Sequence, residues 1–146
     1  MPPWTIEGTT CGEQPCKYLI YRYQLKSNAE GKDMTVQDVM ELIEAKDRTP
    51  ETDKTKEVSC GYTCDLLSWV MAHGAEGMAW VTVQTHMNVI AVASLMEMAV
   101  VIIPEGIEME EPSVEKAKEE GITVLESGLT AYEICAKLAE KGLAGK

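Results

Sequence analysis

Met78-Ala79-Trp80-Val81-Thr82-Val83, the segment Asn88 to Met98, and Val100-Val101-Ile102-Ile103 together decide the architecture of this chain. The first and last are near-continuous apolar runs of strand length, the pattern of a strand covered on both faces. Gln84 to Met87 makes a short connection. In the helix that follows, Val89, Ile90, Val92, Ala93, Leu95 and Met96 leave almost no polar side. Such a helix must be buried on more than one flank. Strand, helix and strand at this spacing form one β-α-β unit, whose strands are expected to lie parallel.

The same alternation extends in both directions. Upstream, Glu57-Val58-Ser59-Cys60 predicts a short strand and Gly61-Tyr62-Thr63 a turn. Asp65 to Ala72 predicts a helix, with Leu66, Leu67, Trp69 and Val70 apolar, ended by the glycines of His73-Gly74-Ala75-Glu76-Gly77. Downstream, Pro104-Glu105-Gly106 closes a strand, and Ser113 to Glu120 reads as a charged helix with Pro112 at its start. Ile122-Thr123-Val124-Leu125 is a further strand. Thr130 to Lys141 is a last helix, capped by Thr130 and ended by Gly142. Before all of these, Thr35 and Asp38 resemble a capping box, and Val36, Val39, Met40 and Ile43 recur at helical spacing to about Ala45. Asp47 to Lys56, polar and containing Pro50, reads as a loop. The expectation is one α/β domain over 34–146, with a mainly parallel sheet and helices packed on it.

Composition narrows the function classes. The chain has 146 residues, with Lys+Arg 13 against Asp+Glu 24, a net charge of −11 and a pI near 4.6. Phosphate neutralisation needs a basic face, so nucleic acid is not an expected partner, and neither is an anionic membrane surface. The longest apolar stretch, Val89 to Ile103, is broken by Ser94 and Glu97 and falls short of the roughly 20 residues of a spanning helix. Met1-Pro2-Pro3-Trp4 is not the cationic start of a secretory leader. Five cysteines, an odd number, preclude a complete disulfide framework within one chain. Reduced thiols and a cytoplasmic location are the expectation.

Residues 1–33 stand apart. They are charge-neutral, lack a clean period, and contain a possible strand, Tyr18 to Leu25, with no evident mate. Glu30-Gly31-Lys32-Asp33 can be encoded by a purine-rich run of the kind that precedes bacterial start codons. Met34 is therefore expected as the native start and 1–33 as a spurious or irregular extension, the alternative being a genuine N-terminal strand or arm. Cys11-x4-Cys16 alone is a poor metal motif.

The segments Gly61-Tyr62-Thr63-Cys64-Asp65-Leu66-Leu67-Ser68-Trp69-Val70-Met71-Ala72, Ala79 to Gln84, Asn88 to Leu95 and Val101 to Gly106 resemble the DRTGG domain family, over about residues 55–141. The resemblance implies a fold like the N-terminal domains of HPr kinase/phosphorylase and of MurF-type ligases. It also implies a regulatory or assembly role without chemistry of its own. Small stand-alone members are often encoded beside iron–sulfur hydrogenase and NADH-oxidising subunits, which suggests a redox-enzyme or regulatory protein partner. The string that names the family is absent, and Asp47-Arg48-Thr49 reads as a coincidence within a loop. No phosphate-binding G-x-x-x-x-G-K-[ST] string occurs, so kinase activity does not carry over.

Ligands of open α/β sheets bind beyond the carboxyl ends of the strands. Two connections qualify, one around Gly61, Tyr62 and Asp65, the other holding Gln84, Thr85, His86 and Asn88. Helix N-terminal amides favour a small anionic or nucleotide-like ligand there, while the plain alternative has Asn88 capping its helix and His86 on ordinary surface. Cys60 and Cys64 with His86 have ligand chemistry suited to zinc or iron. Against this, small buried thiols are common core residues, and Cys135 is most simply core. A third reading makes Cys64 a nucleophile at a helix start with His86 as base. No catalytic motif is complete and no cofactor is predicted. The expectation is a non-catalytic, ligand-binding regulatory or adaptor domain that self-associates, as a homodimer in the simplest case. The alternative is a metal- or redox-linked accessory of a hydrogenase or NADH-oxidising system.

Overall fold

A computed structural model describes residues 33–146. The expectations placed on 1–32, including the Tyr18–Leu25 strand and the Cys11–Cys16 pair, lie outside the described residues. In chain order the elements are α1 (Val36–Leu42), β1 (Lys46–Asp47), β2 (Cys60–Thr63), α2 (Leu67–His73) and β3 (Met78–Val81). They continue as α3 (Met87–Leu95), β4 (Val100–Ile103), α4 (Glu111–Glu120), β5 (Thr123–Glu126) and α5 (Ala131–Glu140).

One sheet runs in the order β1-β5-β4-β3-β2. β2 through β5 are parallel neighbours in sequence order, and β1 alone is antiparallel, on β5. Because each crossover steps the same way, a common hand puts α2, α3 and α4 on one face. Strand alternation confirms it. Met78, Trp80, Val101, Ile103 and Val124 pack with those three helices. Ala79, Val81, Val100, Ile102 and Leu125 turn to the other face, against Val36, Val39 and Ile43 of α1 and Ile134 and Leu138 of α5. The fold is the expected α/β type with a mostly parallel sheet.

The middle position in the three-helix layer explains the composition of α3. With α2 on one side, α4 on the other and the sheet beneath, Val89, Ile90, Val92 and Ala93 are all buried. Caps behave as read at both ends of the domain. The Thr35 hydroxyl accepts from Asp38 N at 3.2 Å while the Asp38 carboxylate accepts from Thr35 N at 2.9 Å. Thr130 and Glu133 repeat the exchange at 3.2 and 2.8 Å. The Thr130 hydrogen bonds hold the Glu133 carboxyl below the usual carboxylate range.

Elsewhere the structure corrects the reading. The strand expected at Glu57–Cys60 begins at Cys60 and takes in Gly61-Tyr62-Thr63, the predicted turn. Glu57 and Val58 are diverted: Glu57 bridges Thr35 and Val58 N donates to Met34 O at 2.7 Å. Gly61 sits in a strand because its outward edge is occupied. Its N–H donates to Ala144 O at 2.9 Å and its carbonyl accepts from Lys146 N at 3.1 Å, so the C-terminal tail lies along the edge of β2.

Asp47-Arg48-Thr49 is likewise more than loop. Asp47 belongs to β1, and Arg48 N donates to Val124 O at 3.0 Å. Buried Thr49 accepts from Val124 N at 3.0 Å, and Thr52 meets Thr123 hydroxyl to hydroxyl at 2.7 Å. Side-chain hydroxyls thus finish the β5 edge where two residues of strand cannot. The Arg48 guanidinium bonds the nearly buried Glu126 carboxylate at 2.6 Å, and that carboxylate also accepts from Met109 N at 2.8 Å. Its other arm reaches Glu111 at 2.8 Å.

Glu126→Ala should strand a largely buried guanidinium and a buried amide together. We expect a loss of about 3 kcal/mol in urea unfolding, with Glu126→Gln, which keeps an acceptor, losing clearly less. Gly77 joins α2 to β3 at φ 72°, and an added Cβ would lie 3.1 Å from the Ser59 hydroxyl. Gly77→Ala should therefore cost about 1–2 kcal/mol by the same measurement.

Candidate functional site

The loops after β2 and β3 meet at the carboxyl end of the sheet, where a ligand is expected from the sequence. Their meeting is organised by Asp65. Its Oδ1 accepts from the Thr82 hydroxyl at 2.8 Å and from Val83 N at 2.9 Å. The Thr82 oxygen in turn accepts from Gln84 N at 3.2 Å, and the Gln84 amide donates to Asp65 O at 3.4 Å. Beneath this clasp, the indole of fully buried Trp80 donates to Cys64 O at 2.8 Å. Each backbone turn is therefore held by a side chain from the other loop.

That arrangement explains two departures from the expected element ends. β3 stops at Val81 rather than Val83 because, although Thr82 N still donates to Ile102 O at 3.0 Å, the next amide, that of Val83, turns away to Asp65. α2 starts at Leu67 rather than Asp65 because the same carboxylate faces the neighbouring loop instead of capping its own helix. Asp65 is a brace, and Thr82 is the buried partner that the sequence reading passed over. Its signal was a hydroxyl interrupting an otherwise apolar strand.

His86, not Asn88, caps α3. Its Nδ1 accepts from Asn88 N at 3.3 Å. Asn88 lies in the first helical turn with its side chain exposed. Thr85 donates to Glu110 at 3.4 Å and so links this turn to the start of α4. Gln84, His86 and Asn88 are exposed and Thr85 partly so. A rim of amide, imidazole and hydroxyl groups thus stands on a rigid clasp.

The structure separates Gly61 from this rim. Together with Thr63, Val81, Cys135 and Leu138 it lines a cavity of about 300 Å³ beneath the C-terminal tail, on the α5 side of the sheet. Cys135 is only partly buried there, with its Sγ 3.0 Å from the Thr63 hydroxyl. Tyr62 turns to the opposite face with Cys60 and Cys64, all three packed on the three-helix core. Burial raises the Tyr62 pKa above that of an ordinary phenol, with nearby Cys64 pushing the same way, so it stays a neutral donor at physiological pH. Among the described residues, no group of three or more His, Cys, Asp or Glu is placed to hold a metal ion. Cys60, Cys64 and His86 therefore do not converge on one centre. Among the same residues, no helix is long and apolar enough to cross a membrane.

No protein-family model matches the chain, and no curated protein matches it. Solved structures do. One is the regulatory region of the Clostridium perfringens pyrophosphatase, comprising CBS and DRTGG domains, in complex with its activator diadenosine tetraphosphate. The TM-score is 0.60 at 14% identity, and the match covers 88% of this chain and 56% of that one. The chain thus shares its fold with about half of the length of that region.

Proposed function

We propose that this chain is a non-catalytic regulatory domain that binds a small nucleotide-like ligand on the rim formed by Gln84, Thr85, His86 and Asn88. The observation that carries the reading is the Asp65 clasp. It spends a carboxylate, a buried hydroxyl and two backbone amides on fixing one exposed polar turn at the ligand-binding end of a parallel sheet. The likeness in fold to a regulatory region that was solved with a dinucleotide activator supports the same class of ligand. No Lys or Arg occurs between Ser59 and Met96, so recognition rests on hydrogen bonds to a base or sugar more than on cations against phosphate. The role is one of sensing, with self-association as the means by which the bound state is passed on.

Isothermal titration with adenosine, AMP, ATP and diadenosine tetraphosphate tests the reading. At least one should bind, and Gln84→Ala or Asn88→Ala should weaken it about tenfold, the worth of one hydrogen bond. Silence from all four at millimolar concentration, or affinity untouched by both substitutions, would overturn it. Asp65→Ala removes the acceptor from Thr82 and Val83. It should cost about 2 kcal/mol in urea unfolding and speed hydrogen exchange at the Val83 amide.

A further inference from the structure

Charge is missing from one quarter of an otherwise highly charged protein. Of the charged residues in the chain (Lys+Arg 13, Asp+Glu 24), only Asp65 and Glu76 fall between Ser59 and Met96. Asp65 is held in the loop clasp, and Glu76 lies in the turn after α2. This segment supplies α2 and α3, two adjacent helices of the three-helix layer. Their solvent side carries Ser68, Trp69, Met71, Ala72, Ala91 and Leu95, all exposed, with His73 stacked on Trp69. Neither helix contributes a carboxylate or ammonium there, and the Lys146 ammonium bonds the His73 and Gly74 carbonyls at the far end of α2. α4, next in the layer, is the reverse: Glu111, Glu115, Lys116, Lys118, Glu119 and Glu120 fill most of its outer side. The border is sharp, drawn where the Ser94 hydroxyl meets the Glu120 carboxylate at 3.0 Å.

The neutral face is also apolar. Trp69 is 53% exposed, Leu66 62% and Leu95 66%, and Met71, Val83 and Met87 add to them. Together they expose on the order of 500 Å², near the top of the roughly 300–600 Å² found for the largest patch of a typical monomer. That is also most of the roughly 800 Å² that each partner buries in a standard interface. Depletion of charge with enrichment of Trp and Met is the composition of an interface centre.

We infer that the α2–α3 face is the surface on which a second copy of this chain docks, in an isologous dimer. The inference rests on the self-association in the proposed function and assigns it a place. Charge selects the occupant. With a net charge of −11, two copies repel through every surface on which carboxylates dominate, and only a face without charge pairs with itself free of that penalty. The carboxylates of α4 then lie at the rim and beyond it, where water and salt screen them. Leu66, Val83 and Met87 flank the Asp65 clasp, so the two ligand rims of the dimer stand beside its interface.

Sedimentation equilibrium of the full chain from about 1 to 500 µM, at roughly 0.15 M salt so that surface charge is screened, tests the assignment. A concentration-dependent dimer is expected. Trp69→Glu with Leu95→Glu should weaken it about 30-fold or more with unchanged circular dichroism, and Leu95→Glu alone, which leaves the Trp69 contacts with His73 and Tyr62 in place, should weaken it with unchanged melting. Tyr132→Glu, at 84% exposure on α5 across the sheet, is the control and should leave the dimer intact. A strict monomer throughout the range, a dimer indifferent to the paired substitution, or one lost with Tyr132→Glu would overturn the inference. Nucleotide titration of the same samples separates the two readings. Binding by a strict monomer sinks the dimer face alone, and a dimer that binds none of the four nucleotides sinks the ligand alone.

Discussion

A parallel strand has no solvent face to spare, and the rest of this structure depends on that constraint. β3, β4 and β5 are buried at every position, so both sides of the sheet must be roofed. Crossovers that step in one direction roof only one side. The other side is left to α1, which precedes the sheet, and α5, which follows it. Val39, Ile43, Ile134 and Leu138 are there to cover Ala79, Val100, Ile102 and Leu125. α1 and α5 are thus structural members of the layer and not appendages.

The same constraint shapes the edges. On the β5 side a two-residue strand is completed by the Thr49, Thr52 and Thr123 hydroxyls and locked by Arg48 on Glu126. On the β2 side a short stretch of tail pairs with Gly61. Both devices use few residues to satisfy backbone groups that would otherwise offer an open template for other chains.

How much of this could be read in the residues follows from what each signal depends on. The β-α-β core was legible because burial on two faces writes itself into Met78–Val81 and Val100–Ile103 as unbroken apolar runs. Burial on both flanks of α3 did the same for Val89–Ala93. The Thr35 and Thr130 caps are local, within three residues, and were equally plain. β2 was misplaced because its identity depends on contacts remote in sequence. Met34 and Thr35 claim Glu57 and Val58, and residues 144–146 claim Gly61. β1 and the Arg48–Glu126 pair were missed for the same reason, their partners lying a whole domain downstream. At the candidate site the two loops could be identified, but their internal roles could not. Asp65 faces across to Thr82 and His86 takes the cap from Asn88, choices made by three-dimensional neighbours.

The pairing of Gly61 with the tail also sets an order of events. During synthesis β2 is made well before the segment that pairs with its outer edge, and among the described residues four helices and three strands come between them. This pairing can form only once residues 144–146 have been made. Residues 144–146 thus act as a latch on a strand edge laid down far earlier in the chain.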